Sequence, residues 1–217
     1  MMFENLESRV LMSAVSTVTA QVAEDRLQVK IDLAKFAQDA IEGGQTLIAD
    51  CKALQADGVQ SDPTLAPLLS QLHVDVKAMQ TQLKADNLAE SEAVSNDMSI
   101  ICAQKEKILS DTTHAEKLAD KAVLVQDQIN LQNDMITGLN SRLTTREQDY
   151  TTISDDISNL ATALQSDTSA SPQLVTDMTK FLNDRTTLLG TMEADINTVI
   201  TDRTALVSAL EAELGIL

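Results

Sequence analysis

Residues 118–164 decide the fold, and their sequence is LADKAVLVQDQINLQNDMITGLNSRLTTREQDYTTISDDISNLATAL. Stepping alternately by four and three residues through this stretch meets fourteen positions, of which twelve are apolar. Apolar residues at this spacing predict a long coiled-coil helix. The polar exceptions, Gln132 and Arg146, either fix the register as buried groups or keep their long side chains partly exposed. The fourteen positions are Leu118, Ala122, Val125, Ile129, Gln132, Ile136, Leu139, Leu143, Arg146, Tyr150, Ile153, Ile157, Leu160 and Leu164.

A second apolar line runs through residues 174–217, and Arg185 and Arg203 fall on it. Within this segment the sequence DRTTL of Asp184–Leu188 returns eighteen residues later as DRTAL in Asp202–Leu206. Eighteen residues make five helical turns, so the two copies lie on the same side of a nearly straight helix. Duplication and convergent helix patterning both explain the repeat. The apolar positions are Leu174, Met178, Phe181, Leu188, Met192, Ile196, Val199, Leu206, Leu210, Leu214 and Leu217.

The first half of the chain carries weaker apolar lines that predict two further helices. Gly43 and Gly44 disfavour a helix interior, so we expect a kink or short break there. The polar residues 84–93 predict a loosely packed stretch of the second helix. The first line comprises Val15, Val18, Val22, Val29, Leu33, Phe36, Ala40, Leu47, Cys51 and Leu54; the second comprises Leu65, Leu69, Leu72, Val76, Met79, Leu83, Val94, Met98, Ile101 and Ile108.

Turn-forming residues separate these helices at three places. Residues 57–63 and 166–172 each predict a helix end, a loop and a restart with proline in the first turn. Residues 110–113 offer capping side chains for a helix that begins near His114, although one continuous helix through this point is the alternative.

The predicted fold is therefore all-α: an elongated antiparallel four-helix bundle or coiled coil. Residues 1–14 form a separate N-terminal segment, 15–109 a first helical hairpin and 110–217 a second, within one bundle. The two proline-started helices align at an offset of about half the chain, so tandem duplication of a hairpin is one explanation and chance similarity of amphipathic helices is the other. In straight hairpins Cys51 and Cys102 lie about 50 Å apart, too far for a disulfide within one chain.

The composition excludes several classes of partner. The 217 residues include 33 acidic and 16 basic side chains, which give a net charge of −17. Nucleic acid and anionic bilayers are repelled by such a surface. No window approaches the roughly 18 consecutive apolar residues of a transmembrane helix, and the first residues make a poor export signal of the ordinary kind.

The N-terminus resembles the LEPR-XLL motif, a short sequence of the form FExLEPRxLLSA on surface and secreted proteins of planctomycete-type bacteria. Eight positions match: Phe3, Glu4, Leu6, Glu7, Arg9, Leu11, Ser13 and Ala14. Ser8 stands where the motif has proline, and Met12 where it has leucine. The resemblance covers about 12 residues and implies an export or sorting signal without enzymatic meaning. The alternative is that these residues simply lead into the first helix.

The sequence offers no recognisable catalytic, cofactor or metal site, and we expect none. His73 and His114 are the two histidines, and Asp111-x-x-His114 alone falls short of a di-metal carboxylate site. Asp57-Gly58 lacks the alternating ligands of a calcium loop and predicts a turn. Asp155 and Asp156 point about 100° apart on a helix and predict a solvated face.

Three functions fit these sequence features. The first is a non-enzymatic, exported or surface-associated helical protein that acts as a spacer or protein-interaction module. The second is an intracellular, cytoplasmic coiled-coil adaptor. The third is a helical ligand-binding or sensor bundle, which requires a cavity. The long apolar lines allow a protein partner or self-association, and no small-molecule substrate is indicated.

Overall fold

The computed structural model describes residues 2–217, and for residues 2–14, 146, 148 and 149 it describes the backbone alone. Four long helices account for nearly all of these residues: α1 Met2–Ala56, α2 Leu65–Ser110, α3 His114–Ser166 and α4 Pro172–Gly215. A short 3-10 helix, Val59–Ser61, lies between α1 and α2, and the described residues contain no strand. The predicted all-α helical bundle is confirmed.

The turn between α1 and α2 follows the predicted sequence signals. Gly58 adopts a left-handed conformation with φ of 79°, which glycine reaches without strain. Asp62 then caps α2, because its Oδ1 accepts hydrogen bonds from the backbone N–H groups of Thr64 and Leu65 at 2.8 and 2.9 Å. Pro63 therefore occupies the first turn, where its missing N–H is harmless.

The turns before α3 and α4 are also built by caps. Thr113 and Glu116 form a capping box: the Thr113 N–H donates to Glu116 Oε2 at 3.0 Å, and the Glu116 N–H donates to Thr113 Oγ1 at 3.2 Å. The alternative of one continuous helix through residue 110 is therefore wrong. Ser171 caps α4 by accepting the N–H of Leu174 at 3.1 Å, and Pro172 opens that helix as predicted.

The helices divide into two compact units. Unit 1 comprises Met1–Leu33, Asn87–Asn140 and Thr198–Leu217, and unit 2 comprises Ala34–Asp86 and Ser141–Asn197. Each unit takes segments from both predicted hairpins, 15–109 and 110–217, and the hairpin organisation itself stays a prediction.

Unit 2 has a core to which all four helices contribute. In it α1 and α4 run antiparallel, because Lys180 pairs with Asp50 while Lys35, earlier in α1, pairs with Asp195, later in α4. Its fully buried side chains include Leu54, Leu65, Leu72, Ile153, Leu160 and Met178.

Unit 1 is centred on smaller and β-branched side chains from α1, α3 and α4. They include Val22, Val29, Val125, Ile129, Leu206 and Leu210.

Most positions of the predicted apolar lines are buried or half-buried, with three exceptions. Leu118 and Leu33 are each 37% exposed and Met98 is 45% exposed, so the prediction that they belong to the buried lines is wrong. The side chain of Arg146 lies outside the described residues. In α2, whose residues are all described, none between Leu72 and Ile101 is buried. Loose packing was expected for residues 84–93, but it extends to the apolar positions on either side of them, such as Val76 and Val94, which are half-buried.

The predicted break at Gly43-Gly44 is wrong, because α1 is helical through both residues. A Cβ on Gly43 would collide with Leu188 Cδ1 of α4, whereas a Cβ on Gly44 would meet nothing within 4 Å. Gly43 therefore permits a close approach of α4, and helix packing offsets the low helix propensity of the glycine pair.

Candidate functional site

A cavity of about 610 Å³ lies inside unit 2, between α1, α2 and α4. This volume falls in the range of small-molecule sites. On α1 its lining extends from Ala40 to Gln55, a rise of about 22 Å, so the cavity is an elongated groove. A ligand-binding role requires such a cavity, and the periodicity of the sequence gave no sign of one.

The lining of this cavity is mostly apolar. Leu47, Leu72 and Phe181 are buried members of it, one from each helix. Lys52 and His73 are exposed members, on α1 and α2. None of the described lining residues is acidic, although acidic side chains outnumber basic ones two to one in the chain. The groove therefore combines an apolar wall with positive charge.

Arg185 of α4 brings a guanidinium group into this groove. Its Nε is buried, and no hydrogen bond or ion pair joins Arg185 to another described residue. Burial lowers the pKa of Arg185, which is the expected effect of desolvating a charge without a counter-ion. The sequence places Arg185 on the apolar line of α4 but does not reveal that it lacks a partner.

Several lysines of the same protein are paired with carboxylates. Lys107 Nζ lies 2.7 Å from Asp120 Oδ1, and Lys121 Nζ lies 3.5 Å from Glu213 Oε1. Lys180 contacts both Asp50 and Asp184, and the two contacts raise the pKa of Lys180 to about 12. Lys35 is held in the same way by Asp39 and Asp195. Arg185 differs from these lysines because no carboxylate of a described side chain pairs with it.

Cys51 of α1 lies in the cavity close to Arg185. Its thiol is free and half-buried, and burial raises the pKa of Cys51, an effect that the nearby Arg185 partly opposes. Cys102, by contrast, is a free and exposed thiol. The chain thus carries one thiol inside the candidate site and one outside it.

Aspartates face one another across neighbouring segments in both units. Burial, together with the facing carboxyl group, raises the pKa of one member of each pair, in Asp202 to about 6. Asp156 belongs to such a pair and is half-buried, so the prediction of a solvated face fails for Asp156 and holds for the exposed Asp155. The pairs are Asp57 with Asp177, Asp75 with Asp156, Asp97 with Asp134, Asp111 with Asp120 and Asp32 with Asp202.

Two of the four polar positions on the predicted apolar lines, Gln132 and Arg203, meet in unit 1. Arg203 of α4 is buried, and its Nη1 donates a hydrogen bond to Gln132 Oε1 of α3 at 2.7 Å. Gln132 itself is half-buried, so its long side chain stays partly exposed, as one of the two alternatives for this position had it, while it accepts the hydrogen bond of a buried arginine.

The remaining sequence candidates are the motif residues and the two histidines. The side chains of the motif residues Phe3, Glu4, Leu6, Glu7, Arg9, Leu11, Ser13 and Ala14 lie outside the described residues. His73 is an exposed member of the cavity lining, whereas His114 is exposed at the start of α3. Among the described side chains no group of three or more metal-ligating residues converges.

Comparison with known proteins gives no assignment. No family model, curated protein or solved structure matches the chain. Within the described residues, no helix has both the length and the apolar character that crossing a bilayer requires.

Proposed function

We propose that the protein is a non-enzymatic helical bundle, exported or surface-associated, that acts as a spacer or protein-interaction module. The observation that carries this proposal is the LEPR-XLL-like N-terminus joined to an all-α chain whose helices build two apolar cores of their own. A chain that packs its apolar residues into its own cores can serve as a self-contained unit outside the cell.

The physical properties of the bundle support a structural role. Helices α2, α3 and α4 each begin with a side-chain cap, which satisfies donors that a helix N-terminus otherwise leaves open. The large negative charge favours solubility and disfavours nonspecific association with anionic surfaces.

Cell fractionation tests the proposal. The full-length tagged chain is produced in a bacterium whose surface proteins carry the motif, next to a variant with Glu7→Ala and Arg9→Ala. The matched control, Glu24→Ala with Lys30→Ala, removes the same charges from exposed positions of α1 outside the motif. We expect the wild type and the control in the surface or extracellular fraction and the motif variant inside the cell.

Recovery of the wild-type chain from the cytosol alone would contradict the proposal and favour the intracellular adaptor. If the motif variant and the control are exported equally, export does not depend on the motif.

The second candidate function is a ligand-binding bundle. It is favoured by one specific observation, the elongated cavity that holds Arg185, which has no partner among the described residues.

A further inference from the structure

We propose that the cavity in unit 2 binds a single-chain anionic amphiphile, a fatty acid, with Arg185 as the counter-ion of its carboxylate. The inference does not depend on export, because it concerns the interior of one compact unit. It follows from the shape of the cavity, the chemistry of its wall and the position of its charge.

The shape and wall of the groove suit a hydrocarbon chain. The groove is about 22 Å long, by the helical rise from Ala40 to Gln55. Its wall is built from leucine, methionine, valine and phenylalanine side chains, whose burial by an acyl chain is favourable in proportion to the area covered. Methionines such as Met79 and Met192 adapt to ligands of different shape.

The charge in the groove selects the headgroup. Arg185 is a half-buried cation whose Nε is buried, and Lys52 and His73 are exposed members of the lining. None of the described lining residues carries a carboxylate that could neutralise them. A planar guanidinium forms paired hydrogen bonds with a carboxylate, and such bonds are stronger when one side is partly desolvated.

The groove is also polarised along its length. Arg185 lies near Cys51, towards the turn that joins α1 to α2, because side chains of α4 lean towards its N-terminus. At the other end the lining is made of Ala40, Leu83, Leu188 and Met192, which offer no charge. A fatty acid has the same asymmetry, with a carboxylate at one end and a hydrocarbon tail at the other.

The two thiols report occupancy directly. The full chain is labelled with a thiol reagent in the presence of dodecanoate, dodecanol or dodecyltrimethylammonium, each below its micelle-forming concentration. We expect saturating dodecanoate to slow the labelling of Cys51 at least about tenfold, while exposed Cys102 reacts at an unchanged rate. The neutral and cationic probes are expected to protect Cys51 far less.

Two variant pairs test the roles of charge and space by equilibrium dialysis with radiolabelled dodecanoate. Arg185→Gln is expected to raise the Kd about tenfold or more, whereas Lys30→Gln removes the same charge from an exposed position outside the cavity and leaves the Kd unchanged. Gly44→Leu fills the groove from a position with open space, and Gly190→Leu makes the same change outside it. We expect Gly44→Leu to abolish binding and Gly190→Leu to preserve it.

Equal protection of Cys51 by the anionic and cationic probes would overturn the proposal, as would identical binding by the two leucine variants. Protection by an acidic amphipathic peptide but not by dodecanoate would also overturn it and assign the groove to a protein partner. Circular dichroism of each variant establishes that it is folded, and Arg185→Lys, which keeps the charge, should retain the preference for the anion if Arg185→Gln fails to fold.

Discussion

The two copies of the repeat in α4 have nearly the same sequence and different surroundings. Asp184–Leu188 lies in unit 2 and Asp202–Leu206 in unit 1. Arg203 is buried and donates to Gln132, whereas Arg185 lies in a cavity without a partner among the described residues. Helical periodicity places both arginines on the inner face, but the facing helices decide whether a guanidinium is satisfied. The copy whose arginine has no hydrogen-bond partner among the described residues is the one that we assign to ligand binding.

The acidic residues of the two copies differ in the same way. Asp184 accepts a hydrogen bond from Lys180 at 2.6 Å, and this contact lowers the pKa of Asp184. Asp202 is partly buried and faces Asp32 and the charge of Asp25 on α1, and these effects raise the pKa of Asp202 to about 6. Two identical dipeptides, Asp-Arg, therefore have opposite electrostatic environments.

The largest expected change in stability comes from removing the partner of Arg203, so that the arginine of the second copy resembles that of the first. Gln132→Leu removes the acceptor of Arg203 and leaves a buried guanidinium with fewer partners, so the free energy of unfolding should fall by about 3 kcal/mol. Urea unfolding measures this change. Gln126→Leu, at an exposed position of α3, is the control and should change the stability little.

Adding Arg203→Met to Gln132→Leu should restore part of the stability, since it removes the stranded charge. Additive losses in this double-mutant cycle would show that the two side chains do not interact.

The contact of Leu188 with Gly43 belongs to the first copy alone and gives the next largest effect. Gly43→Ala places a Cβ against Leu188 and should lower the free energy of unfolding by about 2 kcal/mol. Gly44→Ala is the adjacent control, where open space and better helix propensity should raise stability by about 0.5–1 kcal/mol. Equal effects at the two positions, measured by thermal or urea unfolding, would contradict the close approach of α4.

Arg185→Met should raise the free energy of unfolding by about 1 kcal/mol, because it replaces a partly buried, unpartnered charge with an apolar side chain of similar length. The same substitution at Arg203 should lower stability, since it leaves the Gln132 carbonyl oxygen without its donor. The opposite signs are the expected result of urea titrations on the two variants. A loss of stability in both would mean that Arg185 is satisfied in solution.

The smallest effect concerns pH. The folded protein holds the Asp202 proton more tightly than the unfolded chain does, because the pKa of Asp202 is raised to about 6 from its usual value near 4. Protonation therefore stabilises the fold, and this contribution is lost as pH rises from about 4 to about 6. Asp202→Asn should remove that part of the pH dependence and raise stability at neutral pH by a few tenths of a kcal/mol, since solvent screens the pair.

Asp184→Asn is the matched control for the pH experiment. Lys180 lowers the pKa of Asp184, so its contribution is present above the unfolded pKa and is lost as pH falls. The variant should therefore lose stability at neutral pH and little at low pH. If both asparagine variants shift the pH profile in the same direction, the two copies do not differ electrostatically.

Much of the fold could be predicted from local signals. The heptads of residues 118–164 predict α3, and Asp62, Thr113 and Ser171 cap the three later helices where the turn residues indicated. The glycine pair at 43–44 misled the prediction because helix propensity describes an isolated chain. Leu188 is distant from Gly43 in sequence but packs against it in space. The missing side chain of Gly43 leaves room for this contact.

The candidate site was less accessible to sequence reasoning. Arg185 could be placed on the inner face of α4 by its spacing from Phe181 and Leu188. That no described residue pairs with it, and that Cys51 lies beside it, depends on residues more than a hundred positions earlier in the chain. Spacing within one helix cannot show what another helix presents opposite it.

The sequence by itself determined the helices, their ends and the face that each helix buries, because these depend on contacts between residues a few positions apart. Only the tertiary structure decided which buried polar groups are satisfied, which glycine is required for packing and where a cavity stays open. Those outcomes depend on how the helices fill the space between them. Because the interior is closely packed, the volume and charge of one side chain affect residues that are distant in sequence.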